Sequence, residues 1–422
     1  MSELQSQRVF MAWPSRVVFG AGERRALPPL LIKKGYRKAL LVTDTYFTAH
    51  SPIVDELVAE LAAIDIHCLI FDGGKPDPSV DLCVEAFEWT RAQPGGADID
   101  HIIAVGGGSN IDLAKVLSVT LQFGGDPEDY IGEGRLPGMP LPLVAIPTTS
   151  GAGSEITPGA ILIGRNTATK VALMGNDLRP DIVLVDPELT LSCPPAVTAH
   201  AGIDALTHAI ESYLTCDSVD FDRQGDPDPG YSGRNLITQL MAGEAIRLCF
   251  AHLPTAYEDG SDLNARTGMA YGSLLAAFSY ANAGLNAVHA LAYALAGLTH
   301  ASHGSTNAVF LPYVLDNMRS VRQADMAQIA RLAGLAEQDD ASMAHALVRH
   351  VKELVGRIGI PTDLQGFGVT EADLDLLASN GLAVARLTKA YPVQPAEPAY
   401  RLIVQRAFHG VLEQEELVAT SD

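Results

Sequence analysis

The chain is short of positive charge, of cysteine and of aromatic rings. Its 29 Lys and Arg stand against 50 Asp and Glu among 422 residues, a formal net charge of −21. Such an acidic surface repels nucleic acid and anionic membranes, so neither is expected as a partner. The five cysteines, Cys68, Cys83, Cys193, Cys216 and Cys249, lie far apart, form no CxxC and are odd in number. That excludes a thiolate metal site and a disulfide scaffold, and it fits a reducing compartment. The opening run MSELQSQRVFMAW lacks the basic and apolar regions of a secretory signal, so a cytoplasmic protein is expected. Charged residues are 19% of the chain and apolar ones 47%, which excludes a disordered protein. The length suggests two or three domains.

One further absence bears on membranes. Between Thr267 and Leu315 there is no Asp, Glu, Lys or Arg. A membrane span would need about 20 mostly apolar residues in a row. Here Asn282, Asn286, His289, His300, His303 and Asn307 are scattered through the run, and Gly304 and Pro312 are expected to break it. Polar groups spaced in this way suit helices buried inside a globular domain, where each has an assigned partner.

The first half alternates β-rich apolar runs with amphipathic segments. Strands are expected at 38–43, 66–71, 101–105, 141–146 and 182–185. Helices are expected at 51–62, with Ser51 as cap and Pro52 at the first helical position, and at 79–91 and 109–121. This alternation implies a parallel sheet wrapped by helices. Beyond the bend Ser192-Cys193-Pro194-Pro195 the spacing becomes helical, with helices expected at 196–215, 235–250, 263–283, 287–298, 324–336, 342–358 and 371–379. The expected architecture is therefore an α/β domain over 1–192 followed by an all-α domain over 193–422. The segment 217–233 holds five Asp, two Pro and three Gly and reads as a long acidic loop, either a lid or a plain surface insertion.

Four features carry chemistry. Val105-Gly106-Gly107-Gly108-Ser109-Asn110-Ile111-Asp112 joins a strand to a helix, where glycines and a helix N-terminus suit a pyrophosphate; a simple glycine-rich turn has the same form. Pro147-Thr148-Thr149-Ser150-Gly151-Ala152-Gly153-Ser154-Glu155 follows another strand and offers hydroxyls that suit phosphate or ribose oxygens; an ordinary Ser/Thr-rich turn is the alternative. Asp44 ends the first predicted strand, where an acid can accept ribose hydroxyls of NAD and repel the extra phosphate of NADP; a turn-initiating Asp is the alternative. In the helical half, Asp204 and His208 are four residues apart on one helix face, and His289 and His303 lie further on. Three imidazoles and a carboxylate suit a divalent transition metal; an Asp–His pair beside unrelated core histidines is the alternative.

The motifs GGGSNIDLAK, PTTSGAGSE, GIDALTHAIESY and VHALAYALAG…SHGSTNAVFLP, in that order, resemble the iron-dependent (group III) alcohol dehydrogenases over roughly residues 12–410. The resemblance implies a dinucleotide-binding α/β domain, a helical metal-binding domain and an active site in the cleft between them. It implies Asp204, His208, His289 and His303 as ligands of Fe²⁺, with Zn²⁺ an alternative occupant. It also implies Gly106, Gly107, Gly108 and Ser109 at the pyrophosphate, Asp112 among the cofactor-binding residues, Thr148, Thr149 and Ser154 along the cofactor, Asp44 at the ribose, and Lys170 as a further contact of NAD. Where many members place a second histidine four residues after the third ligand, this chain has Tyr293. The implied reaction is hydride transfer between an alcohol and NAD, in a homodimer or larger homo-oligomer. The acidic segment 217–233 is similar to hydroxyacid–oxoacid transhydrogenases of the same superfamily, which keeps a transhydrogenase open as an alternative. A non-catalytic binding protein on the same fold is the third.

Overall fold

A computed structural model describes residues 8–165 and 170–413, so the outermost ends of both expected domains lie outside the described residues. The chain divides into two compact units. The helical unit takes the residues up to Met11, then Pro194–Pro227 and everything from Tyr231 onward; the α/β unit is Ala12–Cys193 with Asp228–Gly230. No helix among the described residues is long and apolar enough to cross a membrane.

The α/β unit contains strands β1 (Arg16–Phe19), β2 (Lys38–Val42), β3 (His67–Phe71), β4 (His101–Gly106), β5 (Gly132–Glu133), β6 (Leu143–Pro147), β7 (Gly159–Ile163), β8 (Lys170–Met174) and β9 (Ile182–Val185). Its helices are α1 (Leu27–Lys34), α2 (Thr45–Ala49), α3 (Ile53–Ala62), α4 (Val80–Ala92) and α5 (Gly108–Phe123). Six strands form a parallel sheet in the order β1-β9-β6-β4-β2-β3. Successive side chains serve opposite faces. Leu40 and Val42 of β2, with Ile102 and Ala104 of β4, join a core with α4 and α5. Ala39 and Leu41, with Ile103 and Val105, join another with α1, α2 and α3. Strands buried on both faces read as continuous apolar runs, which is why they were visible in the sequence.

The chain leaves β2 for β3 on one side, then crosses back to β4 on the other. The β2–β4 boundary is therefore the point where strand order reverses, and ligands of such sheets bind beyond the carboxyl ends at that point. Gly107 and Thr148 immediately follow β4 and β6, and Asp44 lies two residues beyond β2, the three being neighbouring strands. A second, three-stranded sheet of order β5-β8-β7, with β7 and β8 antiparallel, was not expected. Its two longer strands carry apolar runs, Ala160-Ile161-Leu162-Ile163 and Val171-Ala172-Leu173-Met174, as long as those of the main sheet, although neither was expected.

The helical unit consists of α6 (Pro195–Leu214), α7 (Leu236–Glu258), α8 (Leu263–Ala283), α9 (Ala287–Thr299), α10 (His303–Leu332), α11 (Asp340–Arg357), α12 (Leu374–Leu382), α13 (Ala385–Thr388) and α14 (Ala396–His409). From Gly202 to Ser212 every residue of α6 is buried, so polar side chains on it must find partners inside the protein.

Two local expectations are corrected. Helix α3 starts at Ile53 with Pro52 as its cap residue, and the Ser51 hydroxyl only reaches the Ile53 N–H at 3.4 Å. Gly304 and Pro312 do not break the charge-free run, because α10 passes through both. Packing of α10 on α6 and α11 outweighs the backbone bond that Pro312 cannot make. The departure from helical geometry falls later, at Arg322 (φ −129°, ψ 26°), so the helix expected at 324–336 is the far end of α10.

Candidate active site

Asp204, His208, His289 and His303 arrive from three helices. Asp204 and His208 share one face of α6, His289 lies in the first turn of α9, and His303 is the first residue of α10. One ligand atom from each lies within 4.8 Å of all the others. Asp204 Oδ1 is 3.7 Å from His208 Nε2, 3.7 Å from His289 Nε2 and 3.9 Å from His303 Nε2. Burial opposes the charge of Asp204, yet the three imidazoles outweigh it and hold its carboxyl far below the usual carboxylate range. The set presents imidazole nitrogens around one carboxylate, a donor chemistry that fits a divalent transition ion.

Packing fixes each ring. His208 is stacked between Tyr280 of α8 and His289, with centroid distances of 4.0 and 4.7 Å. His289 Nδ1 bonds the carboxylate of Glu211, which leaves Nε2 directed at Asp204. Glu211 follows Asp204 by two helical turns and is itself anchored, its Oε1 accepting from the backbone N–H of Asn286 and Val288 at 3.1 and 2.9 Å. Although burial disfavours charge on His289, Glu211 and Asp204 push its pKa up to about 9. Glycine 304 matters to His303: a Cβ there would stand 2.0 Å from the backbone oxygen of His200 on α6, so only glycine permits this approach.

Tyr293, one turn beyond His289, stacks on His303 at 5.6 Å between centroids. Burial raises its phenol pKa, against the pull of Arg386, which hydrogen-bonds it. Sequence reasoning missed Glu211, Asn307 and Arg386. Glu211 and Asn307 had a usable signal: each falls at helical spacing from a named ligand, Asp204 and His303, inside an apolar helix.

The expected cofactor residues lie in the α/β unit. Gly107 caps α5 without a side chain, and Gly106 takes φ +145°, with the Asn110 amide occupying the space of its missing Cβ. A Cβ on Gly108 would meet Ala152 at 2.7 Å and Ser154 at 3.1 Å, so the two loops abut. Thr148 and Ser154 are buried and Thr149 is partly exposed. Both carboxylate oxygens of Asp44 already accept bonds, one from the Tyr46 N–H (2.9 Å) as the cap of α2, the other from Asn110 Nδ2 (2.7 Å). The Ser109 hydroxyl accepts from the Asp77 N–H at 3.1 Å, and Lys170 pairs with Asp77 at 2.7 Å. Asp112 is buried and accepts from the Ile161 N–H at 3.0 Å, tying α5 to β7.

The N-terminal half, residues 14–187, matches the family described as iron-containing alcohol dehydrogenase, and residues 231–407 match the C-terminal region of the Fe-containing alcohol dehydrogenase family. Long-chain-alcohol dehydrogenase 1 of Geobacillus thermodenitrificans is 35% identical over 410 residues, covering 94% of this chain and 98% of the relative. Alcohol dehydrogenase 4 of Saccharomyces cerevisiae is 33% identical over 395 residues, covering 92% and 96%. The crystal structure of a 1,3-propanediol oxidoreductase superposes with a TM-score of 0.86 at 32% identity, covering 95% of this chain and all of that one. The chain belongs to the iron-containing alcohol dehydrogenase family.

Proposed function

We propose that this protein transfers hydride between a primary or secondary alcohol, or its aldehyde or ketone, and NAD(H), with Fe²⁺ held by Asp204, His208, His289 and His303. The observation that carries this reading is the convergence of those four side chains around Asp204 Oδ1. When bound there, a divalent ion supplies Lewis acidity that makes a substrate hydroxyl easier to deprotonate. Glu211 holds His289 in the tautomer whose Nε2 is free to ligate. Tyr293, kept protonated by burial, serves as a neutral hydrogen-bond donor beside His303. The uncapped N-terminus of α5 and the hydroxyls of Thr148, Thr149 and Ser154 hold the phosphates and ribose of NAD. Gly106 to Ser109, Asp112 and Lys170 shape that site directly or by bracing it. Asp44 meets the adenosine ribose and favours NAD over NADP through its charge. A cytoplasmic homo-oligomer belongs to the same reading and rests on the family resemblance.

The test is a panel of alcohols and aldehydes, followed by nicotinamide absorbance after reconstitution with Fe²⁺ or Zn²⁺. Turnover that depends on added metal and added NAD supports the reading. Activity that needs no added nucleotide, with nicotinamide surviving gel filtration, would replace it with the transhydrogenase.

A further inference from the structure

Arg386 is carried by α13, which packs on α9, and is partly buried. Its guanidinium donates to the Tyr293 phenol, and the Tyr293 ring stacks on His303 at 5.6 Å between centroids. A single tyrosine therefore links this cation to a candidate metal ligand. A second phenol also holds it: Nη1 is 3.4 Å from the Tyr231 hydroxyl, and Cζ is 5.8 Å from the centre of that ring. Tyr231 comes near the end of the acidic segment 217–233. The next two residues seat it, since the N–H groups of Ser232 and Gly233 donate to the Asn282 and Ala283 oxygens at 2.8 and 3.1 Å. Gly284, with φ +98°, lets the ring lie against the backbone, where a Cβ would stand 3.1 Å from it. Tyr231, Tyr293 and Arg386 all belong to the helical unit.

The ligand-bearing helices bring no cation of their own. Helices α6 and α9 contain no Lys or Arg, and α10 has none before Arg319. The polar groups that reach the ligands from these helices include the Asn307 amide, 2.7 Å from Asp204 Oδ1, and the Glu211 carboxylate on His289. Neither is positive, so Arg386 supplies a charge that these helices lack. Phenols orient a guanidinium without neutralising it, and its planar fork matches a carboxylate through two parallel N–H···O bonds. The formal charges agree. With neutral imidazoles, Asp204 and Glu211 offset a divalent ion, and Arg386 leaves one positive charge over. A substrate with one carboxylate balances it, whereas a plain alcohol does not. The chain as a whole carries −21, so an anionic substrate needs such a local cation.

We infer that Arg386 binds a substrate carboxylate, and that the preferred substrates are ω-hydroxy acids and the matching ω-oxo acids. The inference rests on the alcohol dehydrogenase reading above and names its substrate class. Because a tyrosine links Arg386 to His303, the hydroxyl and the carboxylate belong at opposite ends of a short chain. In oxidation the alcohol carbon gives hydride to NAD⁺ and the hydroxyl gives its proton to water. The carboxylate takes no part beyond binding.

The experiment uses the full chain loaded with Fe²⁺ or Zn²⁺. NAD⁺ reduction is followed with the ω-hydroxy acids from 3-hydroxypropionate to 6-hydroxyhexanoate, each against the 1-alcohol of equal length. In the wild type at least one acid should exceed its alcohol in kcat/KM by about 10-fold or more, the worth of a hydrogen bond to a charged group. Arg386→Gln should lower that ratio by roughly 10–150-fold, mainly through KM, and Arg386→Lys should restore part of it. A residue that merely braced Tyr293 would lower both series alike, so an unchanged ratio in Arg386→Gln overturns the inference. Calorimetry of the dicarboxylates from malonate to adipate on metal-free protein tests the same contact without turnover. The tightest of them should bind the wild type at least ten-fold better than Arg386→Gln, and equal binding would count as failure. If Arg386→Gln does not fold, the wild-type ratio decides: a preferred acid supports the inference and none overturns it. Turnover of neither series with either metal would overturn the alcohol dehydrogenase reading as well, whereas 1-alcohol turnover with no preferred acid overturns this inference alone.

Discussion

Glu211 and His289 are joined by a buried hydrogen bond between a carboxylate oxygen and Nδ1, although 78 residues separate them in sequence. The bond leaves only Nε2 to face Asp204. A carboxylate behind an imidazole orients the ring and raises its basicity, and removing such a partner typically costs about 10–100-fold in metal affinity. Glu211→Gln should therefore lower Fe²⁺ affinity by that factor. A chelator titration checks it; an unchanged midpoint would separate Glu211 from the site. The same variant keeps an amide oxygen for the two backbone N–H groups at the start of α9, so the loss should fall on the His289 contact and leave the helix start in place.

His303→Ala should remove the metal and reduce turnover by roughly 10³-fold or more, since metal polarisation contributes several kcal/mol to such reactions. The fold should survive, because His303 is partly exposed at a helix start and not part of an apolar core. NAD binding should persist, because the loops proposed to hold its phosphates belong to the other unit. Elemental analysis and a nucleotide titration on one preparation test both halves. Full metal content with near-normal turnover would remove His303 from the ligand set.

Gly304→Ala tests how backbone spacing positions that ligand. The new Cβ would stand 2.0 Å from the His200 oxygen, so the start of α10 must move away from α6. His303 moves with it while its chemistry is unaltered. Metal affinity should fall at least ten-fold, with stability reduced by about 1–3 kcal/mol from overpacking. Wild-type affinity in a folded Gly304→Ala protein would show that the helix approach is not what seats His303.

The central strands of the main sheet were legible because burial on both faces leaves uninterrupted runs such as Leu40-Leu41-Val42 and Ile102-Ile103-Ala104, whereas the more exposed β1 was not expected. The β7–β8 pair was overlooked although its runs Ala160-Ile161-Leu162-Ile163 and Val171-Ala172-Leu173-Met174 carry the same apolar signal. The run through Gly304 and Pro312 was misread for a different reason. Local helix breakers were overruled by packing against α6 and α11, which no single-chain pattern displays. Asp204 and His208 were readable from their four-residue spacing. That His289 and His303 join them depends on where α9 and α10 pack, and before the structure only the family resemblance carried it.

Asp44 has one observed role and one proposed role that a substitution can separate. Its charge is expected to exclude the 2′-phosphate of NADP, while its oxygens cap α2 and receive the Asn110 amide. Asp44→Gly should raise NADP use, weaken NAD binding and destabilise the unit by about 1 kcal/mol through the lost acceptors. Asp44→Asn should raise NADP use while keeping the cap. Steady-state kinetics with both nucleotides, alongside urea melts, distinguish the two effects. A native enzyme that already prefers NADP would remove Asp44 from cofactor choice.

The buried charges under the second loop predict how stability depends on pH. Lys115 is completely buried and donates to the backbone oxygens of Thr157 and Gly159 at 2.8 and 2.7 Å. Burial pushes Glu155 up to about 7, with Lys115 pulling it down and Asp112 pushing it further up. In the unfolded chain a glutamate releases its proton near pH 4.3. Between roughly pH 4.3 and 7 the folded protein therefore holds a proton that the unfolded chain has lost. Stability should fall as pH rises through that window and level off above it, because the raised carboxyl resists ionising inside the protein. The difference can reach about 3.5 kcal/mol by linkage. Glu155→Gln stays neutral at every pH, so its advantage over the wild type should grow from pH 4.5 to 7 and then hold constant. Urea-unfolding midpoints of the two proteins measured across that range decide it; parallel curves would mean that Glu155 ionises at its ordinary pH in the folded state.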